Sequence, residues 1–162
     1  NKGYWIRDFT VRRQDSLDRM HECLDRSGVS RSDARIIEGI IERTSSFLSI
    51  SSRTWGLYHG DMCCNNLIST AEGYFMVDMD EVGLGEVWGD LLSLSSEAQD
   101  DDLAILCSLL EGYRAGGGTL VEEDLVAISD AIVLGKFRKA VEAGAQVDMS
   151  SLVEFTAPVL DM

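Results

Sequence analysis

The stretch from Trp55 to Leu92 most constrains how this chain can fold. Two short apolar segments, Leu67-Ile68 and Tyr74-Phe75-Met76-Val77, flank the turn-like Thr70-Ala71-Glu72-Gly73. Segments this short, with a glycine-containing turn between them, predict a β-hairpin and not a helix. Around the hairpin stand His59-Gly60-Asp61, Asn66, Asp78, Asp80 and Asp90.

Their types suit one chemistry. Phosphoryl transfer needs positioning and charge neutralisation more than covalent help. Mg2+ takes hard oxygen ligands and keeps several waters, so an amide oxygen and a carboxylate suffice beside phosphate oxygens. Asn66 and Asp78 fit those metal-ligand roles. Another carboxylate must stand off the metal and accept the proton of an attacking hydroxyl. Asp61 fits there as catalytic base. His59 is expected to be structural, its ring bonding nearby backbone or a buried acid such as Asp90.

The pattern H-G-D-x4-N, a hydrophobic hairpin, D-x-D and a later D-L resembles the aminoglycoside phosphotransferase family, whose members share the protein-kinase-like fold. The resemblance implies Asp61 as the catalytic Asp, Asn66 and Asp78 as Mg2+ ligands, and Asp90 as the structural acid after the metal loop. Asp80 stands where the family usually has an acidic residue. Leu109-Leu110-Glu111-Gly112-Tyr113-Arg114 resembles the family's downstream helix. Two positions depart: Cys63-Cys64-Asn65 replaces a His-Pro-Gly-like run, and Met79 replaces an aromatic residue. The implied fold is α+β and mostly helical, the C-terminal lobe of a kinase-like fold with a small hairpin carrying the metal site. The implied cofactors are Mg2+ and ATP, or another nucleoside triphosphate, as co-substrate.

At 162 residues and 45% hydrophobic content, residues 1–162 are expected to form a single domain with its own core. A formal charge of −14 argues against nucleic acid or an anionic membrane as partner and is compatible with a cationic small-molecule substrate. No apolar run reaches the length of a membrane span. Cys23, Cys63, Cys64 and Cys107 lack metal-type spacing and read as reduced thiols, so a cytoplasmic location is expected.

Along the chain, Asn1 to Arg13 reads as a short strand or extended lead-in. A helix is expected from about Asp15-Ser16, with Leu17, Met20 and Leu24 as its stripe and Cys23 beside it, closing at Ser27-Gly28. A second, capped by Ser30 or Ser32, carries Ile36, Ile37, Ile40, Ile41, Phe47 and Leu48 to about Ile50. Ser49 to Arg53 reads as a polar connector. His21 lacks a partner at metal-ligand spacing and reads as a surface or half-buried histidine. After the hairpin, Gly83 and Gly85 are expected to bracket a turn, with Trp88 in the core and a helix from Asp90. Asp100-Asp101-Asp102 reads as the capping start of a helix over about Leu103 to Ala115. Gly116-Gly117-Gly118 stops it and is no phosphate loop, since it follows a helix and lacks a following Lys-Ser/Thr. Further helices are expected from Glu122 to about Ala143 and from Ser150 to Phe155.

A kinase-like enzyme also needs a strand-rich N-terminal lobe with a phosphate-covering loop and a strand lysine. None is recognisable in residues 1–54, where Lys2 is the only lysine. Three readings follow. The first is the catalytic lobe of an ATP-dependent phosphotransferase acting on a small-molecule hydroxyl, with the nucleotide lobe upstream. The second is a truncated, non-catalytic kinase-like protein serving binding or regulation. The third is a metal-dependent hydrolase or acidic binding module.

Overall fold

The computed structural model describes residues 7–50, 55–95 and 102–160. Two compact units emerge, one from residues 1–9 and 52–119, the other from 10–51 and 120–162.

The first unit carries two small sheets. Strand β1 (Arg7–Asp8) lies parallel to a later strand, and β2 (Trp55–Tyr58) runs antiparallel to that same strand, β5 (Gly83–Glu86). The order is β1-β5-β2. The second sheet is the expected hairpin, β3 (Leu67–Thr70) with β4 (Gly73–Met76), in the register Leu67↔Met76 to Thr70↔Gly73. Its turn is held by Thr70: Oγ1–H donates to the Gly73 carbonyl at 3.1 Å and accepts from Glu72 N–H at 3.1 Å. Helices α3 (Trp88–Ser95) and α4 (Asp102–Ala115) pack together, with Trp88, Leu106 and Leu110 buried. Helix α4 ends where Gly118 N–H reaches the Tyr113 carbonyl and Gly117 N–H the Arg114 carbonyl. Gly117, at φ +92°, supplies the left-handed residue that this C-terminal motif needs.

Two expectations change here. Gly83 and Gly85 lie within β5 instead of bracketing a turn, because pairing with β2 from Trp55↔Glu86 to Tyr58↔Gly83 outweighs glycine's low strand preference. Helix α3 begins at Trp88, so Asp90 falls in its first turn and does not start it. Asp100 and Asp101 of the acidic run lie outside the described residues.

The second unit is helical: α1 (Phe9–Ser27), α2 (Arg31–Ile50), α5 (Glu122–Glu142), α6 (Met149–Phe155) and α7 (Ala157–Leu160). Its core joins Leu17, Met20 and Cys23 of α1 to Ile37, Ile40 and Ile41 of α2 and to Val133, Leu134 and Phe137 of α5, with Met149 closing it. Helix α1 starts before the expected Asp15-Ser16. Phe9 to Ser16 contains no glycine or proline, so once nucleated the helix extends through it at little cost. Asn1 to Ile6 of the lead-in lies outside the described residues. Ser30 caps α2, its Oγ accepting from Asp33 N–H at 3.2 Å. Ser49 and Ile50 belong to α2, while residues 51–53 of the expected connector are outside the described residues. Ile36 departs from the expected stripe: it is 42% exposed, one position off the face that buries Ile37, Ile40 and Ile41. Across α2 and α5 the Arg43 guanidinium grips the Asp130 carboxylate with two bonds, of 3.1 and 2.8 Å. Asp148 caps α6 by accepting from Ser150 and Ser151 N–H. Pro158 sits in the first turn of the short α7, where its missing N–H costs no helical bond. Among the described residues, no helix is long and apolar enough to cross a membrane.

Candidate functional site

The site lies within the first unit, and its geometry begins with β2. Tyr58, paired to Gly83, is buried, while Leu57 and Leu84 before and beside it pair on the opposite, exposed face. His59, one residue past the strand, is also buried although alternation would place it on the exposed face with Leu57, so regular pairing stops at Tyr58. The chain then leaves the sheet. His59 N–H donates to Asp90 Oδ2 at 2.6 Å and Gly60 N–H to Asp90 Oδ1 at 3.0 Å. Both oxygens of one carboxylate therefore clamp two consecutive backbone donors, and they come from a helix turn thirty residues later. Charge-assisted bonds of this kind are about twice as strong as neutral ones.

Gly60 has φ +87°, and a Cβ there would overlap the Glu81 carbonyl. Only glycine permits both the left-handed backbone and the close approach. The chain reversal at Gly60 turns Asp61 outward, and Asp61 is exposed.

The His59 ring holds the next segment. Nε2 lies 2.8 Å from the Val77 carbonyl, and Nδ1 accepts from Asp61 N–H at 3.4 Å. A carbonyl can only accept, so the proton belongs on Nε2 and the network selects that tautomer. Asp90 thus bonds the backbone beside His59 while the ring bonds Val77, on the far end of the hairpin.

Asn66 ends a 3₁₀ turn, Cys64–Asn66, and is buried. Its Nδ2 donates to the Asp61 carbonyl at 2.8 Å and lies 3.4 Å from Asp61 Oδ2. Commitment of the amide nitrogen to Asp61 leaves the amide oxygen as the atom a cation would use. The Asn66 carbonyl also accepts from Val77 N–H at 3.0 Å, which extends the hairpin ladder by one bond past Leu67↔Met76. Asp78 follows with φ 61° and ψ 63°, the one non-glycine residue at positive φ among the described residues. Left-handed backbone at a non-glycine residue is sparsely populated and turns the side chain away from the strand direction. Asp80 is exposed in the 3₁₀ turn Met79–Glu81 that leads into β5.

The fold therefore gathers His59, Asp61, Asn66 and Asp90 by direct bonds, and Asp78 adjoins them through Val77. Asp80 is near in sequence, and no bond ties it to the others. Sequence reasoning passed over two contributors. The Val77 carbonyl, which anchors the histidine, carries no side-chain signal. Gly60 does carry one: a glycine between a buried histidine and an exposed acid marks a forced turn.

The donor set is one amide oxygen and carboxylates, which suits a hard cation such as Mg2+. No Lys or Arg stands between Arg53 and Arg114, so the loop's own negative charge favours a cation there. Among the described residues, no group of three or more His, Cys, Asp or Glu side chains could hold a metal by itself. Asn66 and Asp78 would make a partial set, completed by water or by a ligand's oxygens.

No protein-family model matches the chain, and no curated protein does. Among solved structures, it is similar to a choline/ethanolamine kinase family protein from Mesorhizobium loti, at 15% identity and a TM-score of 0.50. The similarity covers 92% of this chain and 54% of that one. The chain, mostly helical with small sheets, thus resembles part of that neighbour's fold and spans about half its length.

Proposed function

We propose that this chain is the catalytic part of a phosphotransferase that moves a phosphoryl group from a nucleoside triphosphate, ATP in the simplest case, to a hydroxyl of a small molecule. The observation that carries this reading is the bonded loop: Asp61 stands exposed on a backbone pinned by Asp90, His59 and Asn66.

In this mechanism Asp61 accepts the proton of the substrate hydroxyl as its oxygen attacks the terminal phosphorus. The bond from that phosphorus to the leaving nucleoside diphosphate breaks, and the product is a phosphate monoester. The Asn66 amide steadies Asp61 chiefly through its main-chain carbonyl, with a longer bond to Oδ2 that leaves Oδ1 available. Asn66 and Asp78 would hold Mg2+, which supplies charge neutralisation for the phosphate oxygens. Asp80, two residues on, adds negative charge for the metal or for a cationic substrate such as an aminoglycoside. His59 and Asp90 are positioning residues.

The nucleotide needs a further unit with its own cation. An apolar surface for such a unit exists on the hairpin, where Ile68, Tyr74, Phe75 and Met76 are all exposed, Tyr74 to 76%. The same surface also favours a second reading, a non-catalytic kinase-like protein whose exposed hairpin serves a binding partner.

One comparison separates the two. Asp61→Asn in the whole enzyme should leave the fold and Mg-nucleotide binding intact while lowering turnover by about two to four orders of magnitude. Unchanged turnover would remove Asp61 from the chemistry. Absence of Mg-dependent nucleotide binding by the whole protein would favour the non-catalytic reading.

A further inference from the structure

The helical unit contains a cavity of about 180 Å³ that the phosphotransfer site does not use. Its wall is mostly apolar, from Leu17 and Met20 of α1 and Ala131 and Leu134 of α5. Two polar groups interrupt it. Thr44 of α2 is 4% exposed, and among the described residues its Oγ1 has no hydrogen-bond partner. Arg138 of α5, a side chain 40% exposed, contributes a buried Nε that also has no hydrogen-bond partner among the described residues; its ion pair with Glu142, at 3.7 Å, is too long for a hydrogen bond. Folded proteins rarely leave buried polar atoms unpaired, and here two residues that carry such atoms line one small space.

Gly135 is the third observation. It sits inside the long helix α5, where glycine is a poor helix former, and a Cβ added to it would meet nothing within 4 Å. No close packing requires the glycine. The room it leaves belongs to the cavity, which it lines.

We propose that this cavity binds a short aliphatic monocarboxylate. An arginine Nε can only donate, so the ligand must bring an acceptor, and the guanidinium charge favours an anionic one. The Thr44 hydroxyl donates to the second carboxylate oxygen. The alkyl chain lies against Leu17, Met20, Ala131 and Leu134. At about 30 Å³ per water-sized group the space takes about six heavy atoms, the size of butyrate. Thr44 also borders the unit's larger groove, where Arg43 and Asp130 satisfy each other with paired bonds; the smaller cavity is the one that Arg138 lines as well.

The test is butyrate titrated into the 162-residue chain, followed by NMR shifts and by thermal unfolding. Saturable binding with a rise in melting temperature is expected for the natural sequence. Thr44→Val keeps the shape and removes the unpaired hydroxyl, so it should melt higher without ligand and bind butyrate about tenfold more weakly. Gly135→Leu should fill the space and abolish binding. Butylammonium should not bind. The proposal is overturned by no saturable butyrate binding, by equal binding of butylammonium, or by unchanged affinity in Thr44→Val. That last comparison decides the matter even if Gly135→Leu does not fold.

Discussion

Replacing Asp90 with alanine tests the central structural claim about the loop. The carboxylate accepts from His59 N–H at 2.6 Å and from Gly60 N–H at 3.0 Å. A hydrogen bond to a charged group contributes about 1.5–3 kcal/mol. Asp90 is only half-buried, so water can partly replace it, and the low end applies to each bond. Asp90→Ala should therefore cost about 3 kcal/mol in the first unit. In a chain of this size that lowers the melting temperature by about 6–12 °C. The sharper assay is native-state amide exchange at His59 and Gly60. With tenfold in rate for each 1.4 kcal/mol, exchange at those two amides should quicken by about a hundredfold. Asp90→Asn retains one acceptor oxygen and should show about half the loss. Asp90 also sits in the first turn of α3, where a negative charge is worth about 0.3–1 kcal/mol to the helix. That contribution would slow fraying of α3 and leave the His59 and Gly60 amides alone. If Asp90→Ala weakens α3 while exchange at His59 and Gly60 stays at the natural rate, the clamp is not what holds the loop.

Asp78→Asn keeps a side chain tolerant of the left-handed backbone and should change the urea midpoint little, whereas β-branched Asp78→Val should cost about 1–2 kcal/mol; equal midpoints would refute strain at this residue. Both should lose Mg-dependent nucleotide binding in the whole enzyme. The Asp148 carboxyl is held below its usual range, first by the Ser151 hydroxyl and then by backbone N–H groups of Ser151 and Ser150. A depressed folded-state value means the cap stabilises α6 above about pH 4 and is lost as pH falls through that lowered value. Exchange at the Ser150 and Ser151 amides should quicken over that acid range, and a flat profile would contradict the cap. Arg43→Met leaves Asp130, 9% exposed, without its partner. With Arg43 itself 57% exposed, the cost should be about 1–2 kcal/mol by urea unfolding, below the range for fully buried pairs. Arg43→Met with Asp130→Asn should recover most of it.

Much of the fold was legible because its signals are local. The stripe Leu17-Met20-Leu24 marked α1, Ser30 or Ser32 marked the start of α2, and the glycines at 28 and 117 end helices at left-handed positions. The hairpin was legible because its strands are adjacent and its turn is short. Helix α1 was underestimated at its start, since an apolar stripe reports burial and not how far backbone bonding extends. Strand β5 was missed because Gly83-Leu84-Gly85-Glu86 has neither β-branched residues nor alternation; only its partners on both sides make it a strand.

For the candidate site, the order His59, Asp61, Asn66, Asp78 and Asp90 contained the residue types and the hairpin that brings most of them together. Chain chemistry alone determined that much, since ligand hardness and hairpin turns depend on neighbours a few residues away. Tertiary structure alone decided which atoms meet. It put both Asp90 oxygens on the His59 and Gly60 amides, turned the His59 ring to the Val77 carbonyl, and set Asp78 in a left-handed backbone. It likewise brought Thr44 and Arg138, far apart in the chain, to one cavity. Contacts of that kind depend on how distant segments are packed, and no short window of sequence encodes a distance between them.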